Sequence, residues 1–359
     1  MGDTKTLGAV VHLTKHVSVF YNQSDNFSLP NISVRLLPDG KIPPSPKGKG
    51  RDMGIALTLL EGKLYARLTR YNTSEVDAHD FRFGGSLTNP TAIANEVLDT
   101  LIGQSVLTAA QAEPHRRTST GAMFDRVVEG YEVSITANPT KNWRLQANYS
   151  YSEGYEDNIG PEVKAWAAEE LPYYKSFNQS FVTSRTRTIG DAILQFETEL
   201  TNQTQFEGLM LSFNRPHKVN VFTSYNFSQG FLKGLQIGGG YRHQSKNTIG
   251  RYTTFPDSGQ FLTPAELQTA IERTGQVVYG NSYWVADAMI GYRFHRVPMA
   301  KRLSVQLNVS NVFNYDEPLI NGLYGDIRPA FGYSDRRLAV NRWGLLPPRA
   351  WRLSANLEF

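Results

Sequence analysis

The last nine residues alternate without exception: Trp351, Leu353, Ala355, Leu357 and Phe359 are apolar, and Arg352, Ser354, Asn356 and Glu358 between them are polar. A period of two places every second side chain on the same face, so this segment reads as a strand with one apolar and one wet side. The pattern recurs at Leu303, Val305, Leu307 and Val309, at Trp284, Ala286, Ala288, Ile290, Tyr292 and Phe294, and at Leu235, Ile237, Gly239 and Tyr241. It continues through Val219, Val221, Thr223, Tyr225 and Phe227, where Phe222 interrupts the polar side, then through Trp143 to Tyr151 and Tyr131 to Ala137. Leu64 to Leu68, Ile55 to Leu59, Val17 to Tyr21 and Ala9 to Leu13 complete a series of about eleven strands.

The connections alternate as well. Leu13 to His16, Glu61-Gly62, Asn138 to Lys141, Ser228 to Gly234 and Arg296 to Lys301 are short turns rich in Gly, Pro, Asn and Lys. The others run roughly through residues 25–50, 75–121, 157–213, 249–279 and 316–347, far beyond the ~2–5 residues of a hairpin. Short turns on one rim and long loops on the other characterise an all-β, transmembrane antiparallel barrel. A soluble sandwich also alternates, but its strands average about 5–6 residues, and these patterns run nearer the ~9–11 residues a tilted strand needs to cross a bilayer. Aromatics gather where the apolar runs end, as interfacial girdles require: Trp143, Tyr149, Tyr151, Tyr225, Phe227, Tyr292, Phe294, Trp351 and Phe359. Short helices are expected inside the long loops, from Asn89-Pro90 to Gly103, from Pro161 to Leu171 and from the capping box Thr263-Pro264-Ala265-Glu266 to Gly275. Their carboxylates, Glu169, Glu170 and Glu272, read as solvated helix charges.

Composition removes most other classes. No window holds 18 consecutive apolar residues, so no helix spans a membrane, and the mean hydropathy of −0.38 is equally that of a barrel whose strands are half polar. The net charge of +4 is scattered, without the basic stripe of a nucleic-acid groove. Cysteine is absent, which excludes disulfides, thiolate zinc sites and thiol nucleophiles. The seven histidines, including the turn pair His12 and His16 and His243, read as a lumen or rim residue, form no H-E-x-x-H, and no G-x-S-x-G occurs. Gly48-Lys49-Gly50, read as part of a Pro-rich loop, and Gly238-Gly239-Gly240, inside a strand, are not phosphate cradles. No enzyme activity, metal or cofactor is implied.

The ligand-contact candidates are basic: Arg116, Arg117, Arg185, Arg187, Arg336 and Arg337 in the loops, and Arg242 on a strand. The loop arginines read as solvated charge, as contacts to lipopolysaccharide phosphates, or as a trap for an anionic ligand. Inward-facing Arg242, Arg293 and Arg352 with Gln236, Gln306 and Asn308 would form a polar inner wall. The first strand descends toward the short-turn rim, so the chain enters from the long-loop side. An odd strand count, no signal peptide and two edges exposed to lipid lead to the expectation of further strands upstream.

Asn308-Val309-Ser310-Asn311-Val312-Phe313-Asn314-Tyr315 resembles the segment that ends the penultimate strand of the TonB-dependent outer-membrane receptors, with Asn308, Asn311, Phe313 and Tyr315 at the motif positions. Pro347-Pro348-Arg349-Ala350-Trp351 running into Phe359 is similar to the last strand of that family, and weaker likenesses lie at Glu129 to Val133, Asn142 to Leu145 and Arg215 to Gly240. The resemblance implies that residues 1–359 are the C-terminal half of a 22-stranded barrel in the bacterial outer membrane, lacking the plug domain and signal peptide. It also implies partners: outer-membrane lipid and lipopolysaccharide, the barrel-assembly machinery reading Trp351, Leu353, Ala355, Leu357 and Phe359, the TonB complex through the absent N-terminal part, and a small-molecule ligand such as a ferric siderophore. Oligosaccharide, heme and corrinoid importers share this grammar. A passive porin, an outer-membrane enzyme and a soluble carbohydrate-binding β-protein are the readings from other classes.

Overall fold

Pairing in the structure, a computed structural model, follows the alternation strand by strand. It describes residues 4–28, 34–80, 82–84, 90–117, 121–204, 207–211, 214–251, 277–294, 297, 300–327 and 337–359. The chain runs through β1 (Lys5–His12), β2 (Val17–Phe27), β3 (Lys47–Leu59), β4 (Leu64–Asp80), β5 (Ala122–Thr140), β6 (Trp143–Asp157), β7 (His217–Asn226) and β8 (Leu235–Gln244). A small hairpin, β9 (Thr248–Arg251) and β10 (Val277–Tyr279), precedes β11 (Tyr283–Phe294) and β12 (Arg302–Ser310). A second hairpin, β13 (Leu319–Ile327) and β14 (Arg337–Gly344), precedes β15 (Ala350–Glu358). One eleven-stranded sheet forms in the order β1-β2-β3-β4-β5-β6-β7-β8-β11-β12-β15, with β1 and β15 as its edges, and the two hairpins stand apart from it.

A slip of one residue at any pairing would turn a strand's apolar side chains to the wrong face, and within the belt none has occurred: the sheet's register shifts lie at its margins, between Glu75 and Ala78 and between Ala137 and Thr140. Leu357, Leu353 and Trp351 pair with Leu303, Leu307 and Val309, which pair with Phe294, Ile290 and Ala288, and Ile290 pairs with Ile237. Ile237 pairs with Tyr225 and Tyr225 with Trp143. Leu145, Ala147 and Tyr149 meet Ala137, Ile135 and Val133, which meet Leu64, Ala66 and Leu68. These face Leu59, Leu57 and Ile55, then Val17 and Val19, then Val11. The result is one apolar belt across eleven strands. It is bare: Leu353 is 71% and Phe359 76% exposed, a far larger apolar surface than a soluble monomer presents to water.

Aromatic rings border the belt on both sides. At the short-turn end Tyr225 lies 4.9 Å from Phe227 and Tyr292 4.8 Å from Phe294. At the long-loop end Tyr151 lies 4.9 Å from His217, and Trp284 lies 6.1 Å from Tyr241 and 5.4 Å from Phe313. Trp143 and Tyr151, at the two margins of the belt on β6, are separated by about 27 Å of strand at ~3.4 Å per residue, or about 21 Å of height at a 40° tilt, the scale of a bilayer's apolar band.

On the opposite, polar face, cross-strand glycines make room for the few aromatics. Phe20 stands opposite Gly54, where a Cβ would fall 2.7 Å from the Phe20 ring and 2.0 Å from the Leu68 carbonyl oxygen. The Arg67 guanidinium lies 4.0 Å from the other reference point of that ring, its centroid. Tyr71 covers Gly130 in the same way. Phe222, the exception in its strand, stands opposite Gly240.

Beyond the belt β3, β4, β5 and β6 continue to 13, 17, 19 and 15 residues, longer than their alternation indicates. Above the belt both faces are wet, so the apolar period vanishes although the ladder persists. Gly48-Lys49-Gly50 therefore lies in β3, paired with Asn26 to Ser24, and not in a loop.

The long loops hold α1 (Pro90–Gly103), α2 (Ala109–Ala112), α3 (Pro161–Lys175) and α4 (Ile189–Thr204). The first helix matches its expected bounds, and α3 runs past Leu171 to Lys175; the expected helix at Thr263 to Gly275 lies outside the described residues. α4 had signals of its own: Asp191 accepts from the Thr188 amide while Thr188 accepts from the Asp191 amide, both at 3.1 Å, ahead of Ile189, Ile193, Phe196 and Leu200 at helical spacing. Ile93, Val97, Leu98 and Leu101 of α1, Val163 and Trp166 of α3 and Ile189, Ile193 and Phe196 of α4 close a dry core with Phe83 and Phe124.

Candidate functional site

The long-loop rim is where a folded layer meets the polar face of the sheet, and ion pairs fasten that layer. On α1, Glu96 is buried and takes both arms of Arg187, from Nε at 3.0 Å and from Nη2 at 2.5 Å, with Arg185 Nε at 3.4 Å. Burial alone would raise this carboxyl, but hydrogen bonds from Arg187 and Thr183 and the charges of both arginines outweigh it, so Glu96 is held below its ordinary range. Arg187 also reaches Gln195 on α4, so one carboxylate ties α1 to α4 and its leading turn.

On α3, Glu170 is buried and faces His115 Nδ1 at 2.8 Å and Arg117 Nη2 at 3.6 Å. This corrects the expectation of a solvated charge: α3 docks that flank onto residues 113–117, and the His115 ring stacks on Tyr173 at 3.9 Å. Desolvation, reinforced by Glu170, raises the neighbouring Tyr174 hydroxyl. At the loop ends of β4 to β6, Arg82 links Asp80 and Glu156 at 2.9 Å each, and Arg126 meets the same Glu156 at 2.9 Å. Both guanidiniums lie 5.1 Å from the Phe124 ring.

Of the candidate arginines, Arg185 and Arg187 converge on Glu96, while Arg116 and Arg117 diverge, the first to Asp99 and the second to Glu170. Arg242 is apart from this layer, on the polar face, 3.0 Å from Asp287 and half exposed. Arg293, Arg352, Gln236, Gln306 and Asn308 share that face by register. Arg336 lies outside the described residues, and of Arg337 only the backbone is described, paired with Ile327.

The Asn308 to Tyr315 motif is a structural clasp. Asn311 is buried in the left-handed region, at φ 51°. Its amide donates to Asp287 at 3.0 Å, its side-chain NH2 donates to the Tyr315 and Pro347 carbonyls at 2.9 and 3.1 Å, and its Oδ1 accepts from the Tyr315 amide at 2.8 Å. One residue thus joins β11 through its backbone amide, and the turn after β12 and the approach to β15 through its side chain. Phe313 packs on Trp284 in the aromatic border, and Asn308 accepts from Gln306 at 2.7 Å. Trp351, Leu353, Ala355, Leu357 and Phe359 all lie on the apolar face of β15 or its end. Glu96, Glu156 and Arg126 carry no sequence motif, because each acts across elements joined only in the fold. Among the described residues no group of three His, Asp or Glu is gathered to hold a metal ion.

Residues 4–312 match the model of a family described as TonB-dependent receptor-like, β-barrel. Solved structures of similar fold include the pyoverdine outer-membrane receptor FpvA of Pseudomonas aeruginosa bound to pyoverdine, at 18% identity and TM-score 0.54, covering 99% of this chain and 36% of that one. The ferric-catecholate import receptor Fiu of Escherichia coli, in its closed form, is similar at 18% identity and TM-score 0.53, with 99% and 34% covered. The ferric preacinetobactin receptor BauA of Acinetobacter baumannii follows at 13% and 0.54, with 99% and 36% covered. The chain therefore spans about a third of the length of these receptors, 34–36%. No curated protein matches it.

Proposed function

Because this chain belongs to the TonB-dependent receptor β-barrel family, a family of outer-membrane proteins, we propose that it forms the C-terminal wall and outer mouth of a receptor importing a bulky, scarce ligand, a ferric siderophore in the first instance. The observation that carries this is the apolar belt held in register across all eleven strands, with a polar face behind it and a packed helical layer over one rim. The belt faces lipid, the polar face lines the lumen, and the long loops stand outside the cell. Energy coupling through TonB belongs to the rest of such a receptor's length. The siderophore reading draws on the ligands of the similar receptors, pyoverdine, ferric catecholates and preacinetobactin.

No covalent step is required of the chain: it has to select, admit and release. Arg116, Arg117, Arg185 and Arg187 keep the loop layer shaped through their carboxylate partners, and at its edges they contact ligand or lipopolysaccharide. Arg242 serves the ligand more directly. An anionic chelate arriving at the polar face exchanges for Asp287 at a guanidinium held there by a single hydrogen bond from Nη2. Trp351 to Phe359 serve assembly as the edge strand of this sheet. Uptake of labelled ferric siderophores by iron-starved cells, with and without the intact gene, tests the reading. Gene-dependent uptake abolished by an uncoupler is expected; uptake that survives the uncoupler would establish a passive channel instead, and growth on an oligosaccharide or corrinoid alone would replace the ligand.

A further inference from the structure

Each of the five short connections carries a lysine: Lys15 between β1 and β2, Lys63 between β3 and β4, Lys141 between β5 and β6, Lys233 between β7 and β8, and Lys301 between β11 and β12. All five are exposed. Among the described residues, none of them makes an ion pair, whereas Lys164, Lys175 and Arg187 of the loop layer do. The five turns contain a single carboxylate, Glu61. Their positive charge therefore faces outward from the molecule.

Their phase says what it faces. Lys141 stands two residues before Trp143, Lys233 two before Leu235 and Lys301 two before Leu303, and Lys15 stands two after Leu13. Counted along the chain all four fall on the alternate positions of the belt, next to the border formed by Trp143, Phe227, Phe294 and Phe359, although they stand in the turns and Gly234, at φ 94°, parts Lys233 from Leu235. The Lys301 amide continues the ladder to the Glu358 carbonyl at 2.8 Å, which carries the parity of β12 into the turn. Lys63, directly before Leu64, is out of phase and lies beside Glu61. In the turn of Lys233, Phe231 is 95% exposed. A lysine at such a position lays its four-carbon stem along apolar surface and lifts its ammonium to the level of the headgroups, where aromatic rings also settle and anionic phosphates attract it. An acidic protein in the periplasm or lumen would be met from the other parity, where the residues next to the turns are Arg144, Gln236 and Arg302, the last already facing Glu358 at 3.6 Å.

We infer that the short-turn rim is a binding surface for anionic phospholipid headgroups, with Lys15, Lys141, Lys233 and Lys301 each seating a phosphate at the edge of the aromatic border. The inference rests on the proposed placement of the belt in the outer membrane, which puts this rim at the inner, phospholipid leaflet.

The test is native mass spectrometry of the whole protein, extracted from membranes in mild detergent and offered phosphatidylglycerol or phosphatidylethanolamine. Phosphatidylglycerol should be retained preferentially, and each of Lys15→Gln, Lys141→Gln, Lys233→Gln and Lys301→Gln should weaken it by about fivefold at its site. Lys63→Gln should leave it unchanged, and the four Lys→Arg changes should preserve it. Heat-modifiable migration of every variant confirms that the barrel is assembled. Equal retention of the two lipids, or unchanged retention in the fourfold Gln variant, overturns the inference. Because this chain has no cysteine of its own, Lys15→Cys and Ala110→Cys report topology by labelling intact cells. Labelling at Ala110 alone upholds the placement, so a failed lipid result then counts only against the lysines; labelling at Lys15 removes the placement and the inference with it.

Discussion

At the long-loop rim Glu96, Glu170 and Glu156 each accept from basic side chains of other segments, whereas at the short-turn rim five exposed lysines make no ion pair among the described residues. The contrast follows from what each rim must hold. A connection of two to eight residues is ordered by its own ladder and turn geometry, as in Leu60, Glu61 and Gly62, all at positive φ. A connection of some forty residues has no ladder to order it, so it must bury apolar surface and satisfy its charges internally. The described dry core accordingly lies in the loops and the loop ends of the strands, centred on Ile93, Leu98, Trp166 and Phe196, while the belt leaves large apolar side chains such as Leu353 and Ile290 exposed. The two regions should fail independently.

The largest effect should come from Glu96→Ala, which leaves Arg187 and Arg185 without their buried carboxylate. We expect a loss of about 3–5 kcal/mol from the loop layer, read as rapid proteolysis at residues 90–117 and 158–204, with heat-modifiable migration of the barrel unchanged. Simultaneous loss of both would break the comparison. Asn311→Ala should cost about 2–3 kcal/mol, from the buried amide and carbonyl groups it leaves unpaired, and should loosen the chain between β12 and β15 in hydrogen exchange. Removing the helix cap with Thr188→Ala should cost about 1 kcal/mol, confined to α4. Arg242→Gln should raise the ligand's dissociation constant about tenfold, ~1.5 kcal/mol for one charge-assisted hydrogen bond, with assembly unaffected. Any single Lys→Gln at the short turns should change stability by less than about 0.5 kcal/mol.

Acidity should separate the rims too. Glu96 is held below its ordinary value of 4.5 in the folded chain, so the clasp contributes fully above that value and weakens as pH falls through the lowered one. Protease protection of the loop layer should hold at neutral pH and decline in this acid range, and the short turns should show no matching transition. Protection that persists after Glu96 is protonated would mean that the apolar core alone holds the layer.

The extent of the sheet was legible wherever its two faces differ. From Trp351 back to Ala9, alternation alone locates the eleven strands, because an apolar face on one side and a polar face on the other impose opposite chemistry on neighbouring residues. The same contrast disappears in Lys47 to Asp52 and Arg126 to Val128, which is why β3 to β6 read too short. α1 showed itself through Pro90 and Gly103, and α4 carried equivalent signals at Thr188, Asp191 and its Ile189-Ile193-Phe196 stripe. The candidate arginines were legible as charges but not as partners. Glu170 shows the limit most clearly: its sequence neighbourhood is that of a surface helix, and only the docking of α3 against His115 and Arg117 buries it.

By itself, then, the sequence determined which residues share a face, how many times the chain crosses the sheet and which rim carries the short turns, since all three follow from a two-residue period repeated between turn signals. The tertiary structure alone decided which carboxylate meets which arginine, that Asn311 joins segments 24 and 36 residues away through Asp287 and Pro347, and that Phe20 and Tyr71 lie over Gly54 and Gly130. Those contacts join residues with no fixed spacing along the chain, and their energies depend on burial that exists only once the long loops and the ladder have come together.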